Sequence, residues 1–177
     1  MYNDLSELCD WGRIMYKLVK IMAAAMLIFV SACSDEDNGA KDIVGNGSSV
    51  QIFSQTDNKI LHKYNIELAD NSEKIYHGLM GRTSLDENTG MLFDINLVPK
   101  DVDIAFWMKD TLIPLDILFI DENGIVFYIH KNAQPYDTTP IYPPKRPRAV
   151  LEINGGQIDK YGINVGDMLK ADLFGNN

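Results

Sequence analysis

The stretch LDILFIDENGIVFYIH, Leu115 to His130, holds two apolar runs of strand-forming residues separated by Asp-Glu-Asn-Gly. Runs of this length bounded by turn chemistry predict strands, and the Gly-containing DENG predicts a hairpin turn between them. DENG also has the look of half a calcium loop. The downstream acidic ligand that such a loop needs is missing, which leaves the turn.

Working outward, DIAFWMKD, Asp103 to Asp110, places Ile104, Phe106 and Met108 on one side of an extended chain and Ala105, Trp107 and Lys109 on the other. It predicts a further strand. Upstream, VQIFSQ and HKYNIELAD predict strands, the second with Tyr64, Ile66 and Leu68 on one face. Asn71 or Ser72 then offers an N-cap to SEKIYHGLMGR, where Ile75 with Leu79 and Tyr76 with Met80 recur at i,i+4. That pattern predicts a helix of about three turns ending near Gly81.

SLDENTG is turn chemistry, MLFDI a strand, and NLVPKD a loop. Downstream, Gln134 to Pro147 carries five prolines and two tyrosines, so it predicts an ordered loop rather than a central strand. AVLEI and DMLKADL predict strands around a short helix QIDKYG. Strands dominate without regular alternation with helices. The expected fold is therefore mostly β, a small antiparallel barrel or sandwich with two short helices, over residues 50–177.

The N-terminal third speaks to location. From Met15, a basic stretch with Lys17 and Lys20 leads into ten apolar residues, Ile21 to Val30, and then Ser31, Ala32 and Cys33. This is the layout of a secretory signal, too short to span a bilayer, with a true start expected at Met15. VSAC resembles the lipobox of bacterial lipoproteins, which implies a signal region over residues 1–32 and lipidation of Cys33. The following SDEDNGA resembles a surface-export signal of such lipoproteins. Residues 33–49 otherwise read as a flexible acidic leash. The expectation is a chain held at the cell envelope by its lipid, on the outer membrane and displayed at the surface.

Composition narrows the classes of function. A net charge of −9 and a pI near 4.7 argue against a nucleic-acid binder, since phosphate neutralisation needs a basic face. The tetrad KRPR, Lys145 to Arg148, is too short to provide one. His62, His77 and His130 share no ligand spacing, so neither a metal nor a cofactor is expected. Loss of Cys9 with the signal and lipidation of Cys33 would leave no thiol, and no nucleophile motif stands out.

HGLMGRTSLDENTGMLFDI, FWMKDTLIPLDILFID and VLEINGG followed by GINVGD, in this order and spacing, resemble the family catalogued as domain of unknown function number one hundred and ninety-two. The resemblance spans about Tyr64 to Leu173 and implies a small β-sandwich or barrel domain, often secreted or lipid-anchored. It implies no reaction. The chain departs from the family where an Arg often precedes Gly-Leu-Met, here Tyr76 and His77, and where Asn commonly follows Trp-Met-Lys, here Asp110.

Candidate site residues are the polar groups that break the strand pattern. Asp116 shares a face with Leu118 and Ile120, and Glu152 shares one with Val150, where apolar residues would cost less. Arg82, Lys109, Asp110 and Thr111 are expected to converge on them, and Trp107 to stack on a flat or sugar-like ligand. Two functions remain open. One is a non-catalytic module binding a small polar ligand, a glycan or an envelope protein. The other is a glycosidase-like hydrolase with Asp116 and Glu152 as acid and base, which requires the carboxylates to face one groove. A structural role for the same ion pairs, fixing strand register, is the competing explanation.

Overall fold

The computed structural model describes residues 48–174. The signal region, Cys33 and the leash up to residue 47 lie outside the described residues. Seven strands form a single sheet: β1 Ser49–Phe53, β2 Ile60–Ala69, β3 Thr89–Asp94, β4 Leu115–Ile120, β5 Val126–Ala133, β6 Ala149–Asn154 and β7 Met168–Lys170. Two short helices accompany them, α1 Ser72–His77 and α2 Gln157–Tyr161. The fold is mostly β, as the sequence predicts.

The strand order is β5-β4-β6-β3-β2-β1-β7, and the sheet curls into a half-barrel. Its two ends meet at one isolated bridge, Ile125 to Met168, reinforced by Leu169 N–H donating to Gly124 O at 2.7 Å. All pairings are antiparallel except β2 with β3. That parallel pair departs from a purely antiparallel sheet for a simple reason. Residues 70–88, including α1, form the crossover that parallel neighbours require.

The hairpin that decides the fold is present. Asp121 Oδ1 accepts from Asn123 N–H at 3.0 Å and Ile125 N–H at 3.1 Å, while Gly124 N–H donates to Asp121 O at 3.0 Å. The Asp of DENG therefore organises a turn.

Two expectations need correction. Asp103 to Asp110 is not a strand: it makes one isolated bridge, Phe106 to Ile141 of the proline-rich loop. The chain turns instead at Met108, whose N–H donates to Asp137 O at 2.8 Å, so the ladder stops. Helix α1 is six residues rather than three turns. Asn71 caps it through Lys74 N–H at 2.9 Å, and Gly78, at φ +50°, ends it. A Cβ there would make ordinary contact with Phe93 at 3.4 Å, so it is the positive φ of the reversal that calls for glycine.

Strand β4 is buried along its whole length, and β3 and β6 nearly so. Both faces of the sheet are covered here, which explains their near-continuous apolar runs. The inner face packs Val50, Ile52, Tyr64, Ile66, Leu118 and Leu151. The outer face packs Met91, Phe93, Ile117, Phe119 and Val150 under Leu79, Met108 and Ile113. Each such side chain contributes about 1.5–3 kcal/mol on burial.

Candidate functional site

The covering of the outer face is incomplete, and a cleft of about 420 Å³ opens through it. Its walls are α1 and the Gly78-Leu79-Met80 loop on one side and the 95–107 segment on the other, with Phe93 beneath. The volume falls in the ordinary range for small-molecule sites. Ile75, Leu79, Ile95, Val98, Ile104 and Phe106 make most of the lining apolar. Tyr76 and Trp107 line the cleft while remaining 64% and 42% exposed.

Glu152 also lines this cleft. It is only 4% exposed, and its carboxyl has no hydrogen-bond partner among the described residues. Burial alone pushes its pKa up to about 8, because loss of water penalises the charged form and nothing nearby compensates. At neutral pH the cleft thus holds a protonated carboxylic acid, able to donate one hydrogen bond and accept others. A Cβ at Gly90 would stand 2.8 Å from Glu152 O, so glycine lets β3 approach β6 closely at this level.

The cross-strand row on this face runs Glu67, Met91, Glu152, Ile117, His130 over β2, β3, β6, β4 and β5. Arg82 is consumed at one end of it, forming a two-pronged ion pair with Glu67. It does not reach the cleft lining.

Asp116 lies on the other face. Its oxygens accept from Asn132 N–H at 2.7 Å and from Ile158 N–H at 2.8 Å. The first bond satisfies a bulge, since the β4–β5 register shifts between Leu115 and Ile117 and Asn132 takes φ +53°. The second serves the start of α2, whose N-cap Gly156 has no side chain to offer. Asp116 therefore locks three elements together and faces no groove with Glu152.

Among the sequence candidates, Trp107, Thr111 and Glu152 meet at the cleft. Lys109 and Asp110 are exposed and outside its lining, while Arg82 and Asp116 are engaged elsewhere. The expected convergence of all of them does not occur. Asp110 has a backbone role: it sits at φ +53°, and its carbonyl accepts from Gly81 N–H at 2.8 Å, tying the loop after α1 to the 108–111 turn. Asn and Asp tolerate that conformation better than most residues, which rationalises Asp110 where relatives commonly carry Asn. Sequence reasoning missed Tyr76, Leu79 and Val98. The exposed apolar Leu97 and Val102 beside them, in a segment rich in loop residues, were the available signal.

Among the described residues no group of three His, Cys, Asp or Glu side chains could hold a metal ion.

Comparison with known proteins agrees with this architecture. Residues 52–171 match the model of DUF192, described as uncharacterized ACR, and the chain belongs to that family. It is similar to a Novosphingobium aromaticivorans DSM 12444 protein of unknown function, at 39% identity and TM-score 0.62, over 69% of this chain and 83% of that one. It is also similar to a proposed transcription regulator from Sinorhizobium meliloti 1021, at 31% identity and TM-score 0.66, over 72% of this chain and 95% of that one. No curated protein matches the chain.

Proposed function

We propose that the domain is a non-catalytic binding module whose site is the cleft floored by Glu152, carried at the cell envelope on a lipid attached to Cys33. The single observation behind the binding role is a carboxyl, 4% exposed, that lines an apolar cleft without a hydrogen-bond partner among the described residues. The carboxyl opens onto the cleft, so a molecule entering there can supply the hydrogen-bond partner that the described residues do not. The hydrolase reading loses its chemistry, because its two carboxylates face opposite sides of the sheet.

The test uses Trp107 as the reporter. In a Trp11→Phe chain Trp107 is the one tryptophan left, and saturable change of its emission on titration with toluene, an apolar probe, is expected. No change up to the solubility of toluene contradicts a binding cleft. The anchor has its own check: labelled palmitate should enter the wild-type chain in a bacterial host and fail to enter Cys33→Ala. Equal labelling of both would remove the anchor from the proposal.

A further inference from the structure

We propose that the cleft selects an uncharged, largely apolar ligand carrying one carboxamide-like group, a donor beside an acceptor, which pairs with the Glu152 carboxyl. The inference rests on the cleft being the binding site and specifies its ligand. It follows from the imbalance of the lining.

The walls supply hydrocarbon and aromatic surface, contributed by the buried Leu79, Phe93 and Ile95 and the partly buried Ile75 and Phe106. The buried polar side chains at the floor are Glu152 and Thr111. The Thr111 hydroxyl donates to Lys109 O at 3.3 Å, so it presents lone pairs rather than a proton. Glu152 as an acid presents an O–H beside a C=O. An amide N–H and C=O on a flat ligand match that pair in both directions, and the exposed Trp107 and Tyr76 rings give the rest of the ligand a stacking surface.

Other ligand classes fit less well. A sugar carries many hydroxyls, each needing a partner on entry, and these walls supply few. A cation would require Glu152 to ionise where no group donates to it, so both charges would pay for leaving water. The titratable groups around Glu152 do not alter this. Tyr76, His77 and Asp103 lie along the cleft walls. The Glu67–Arg82 ion pair on β2 and His130 on β5 each stand two strands away on the same face, roughly 10 Å at ordinary strand spacing.

Three probes of similar shape discriminate: toluene, benzamide and the benzamidinium cation, titrated into the full ¹⁵N-labelled chain at pH 6.5 and 9.5. The readouts are the Trp107 indole and Thr111 amide resonances. At pH 6.5 benzamide should bind at least about tenfold tighter than either other probe, the worth of one well-formed hydrogen bond in a dry site. Its advantage should shrink at pH 9.5. Glu152→Gln should keep the benzamide preference and lose its pH dependence, and Glu152→Leu should bind benzamide no better than toluene; the spectrum of each variant reports its folding. Benzamide binding no tighter than toluene, or weaker than benzamidinium at pH 6.5, overturns the proposed pairing and leaves the cleft as a site. Failure of all three probes to bind overturns both.

Discussion

Asp116 and Glu152 stand on neighbouring antiparallel strands yet face opposite sides of the sheet, because Asp116 lies opposite Ile153 while Glu152 lies opposite Ile117. Each oxygen of the Asp116 carboxylate accepts a backbone N–H, and the Glu152 carboxyl has no hydrogen-bond partner among the described residues. Their roles divide accordingly. Asp116→Ala takes the acceptor from the part-buried Asn132 N–H and the buried Ile158 N–H, and a buried N–H left unpaired costs about 1–3 kcal/mol. Urea unfolding should show a loss of about 2 kcal/mol or more. A loss below about 1 kcal/mol would mean that Asp116 does not lock the bulge and α2.

Glu152 gives stability a definite dependence on pH. Its folded pKa of about 8 lies above the ordinary 4.5, so between those values the folded state holds a proton that the unfolded state has released. Stability therefore falls as pH rises through that window and levels off above it. Glu152→Gln removes the titration. It should match the wild type within about 1 kcal/mol near pH 4 and exceed it by several kcal/mol near pH 9. Parallel stability curves for the two proteins would count against a neutral Glu152.

Arg82→Ala should cost little. The ion pair with Glu67 is 36% and 42% exposed, where solvent screening holds such pairs to about 0–1 kcal/mol. The melting temperature should drop by no more than a few degrees. A loss of about 3 kcal/mol would assign Arg82 a buried structural role that this exposure does not support.

Asp110 separates backbone from side-chain function. At φ +53° a β-branched residue is strained by roughly 1–3 kcal/mol, whereas glycine is not. Asp110→Gly should melt near the wild type and Asp110→Val clearly below it, and neither should change the affinity for toluene by more than about twofold. If Asp110→Gly abolished binding, its side chain would belong to the site after all.

Local patterns carried much of this structure. The DENG turn, the cap at Asn71 and the buried face of Tyr64, Ile66 and Leu68 follow from neighbours in the chain, and each is where the sequence puts it. The 103–110 segment misled because its in-and-out alternation is real, with Ile104, Phe106 and Met108 turned inward. Alternation shows which side is covered, not whether a ladder continues. The cleft was half legible. Trp107, Thr111 and Glu152 stood out as polar or aromatic exceptions, whereas Asp116 broke the pattern equally and turned out to serve the bulge. Distinguishing the two needed the register, which sets their faces and is fixed by pairing between distant strands. The parallel β2–β3 pair lies beyond local pattern for the same reason.

The most direct measurement of the central claim is a carbon-13 titration of the Glu152 side-chain carboxyl, assigned by comparison with Glu152→Gln. A midpoint near pH 8 is expected in the free protein, as befits a carboxyl that burial keeps uncharged at neutral pH. A midpoint near the ordinary 4.5 would mean that water or a protein donor reaches Glu152, and the cleft would lose the group on which its ligand is proposed to dock.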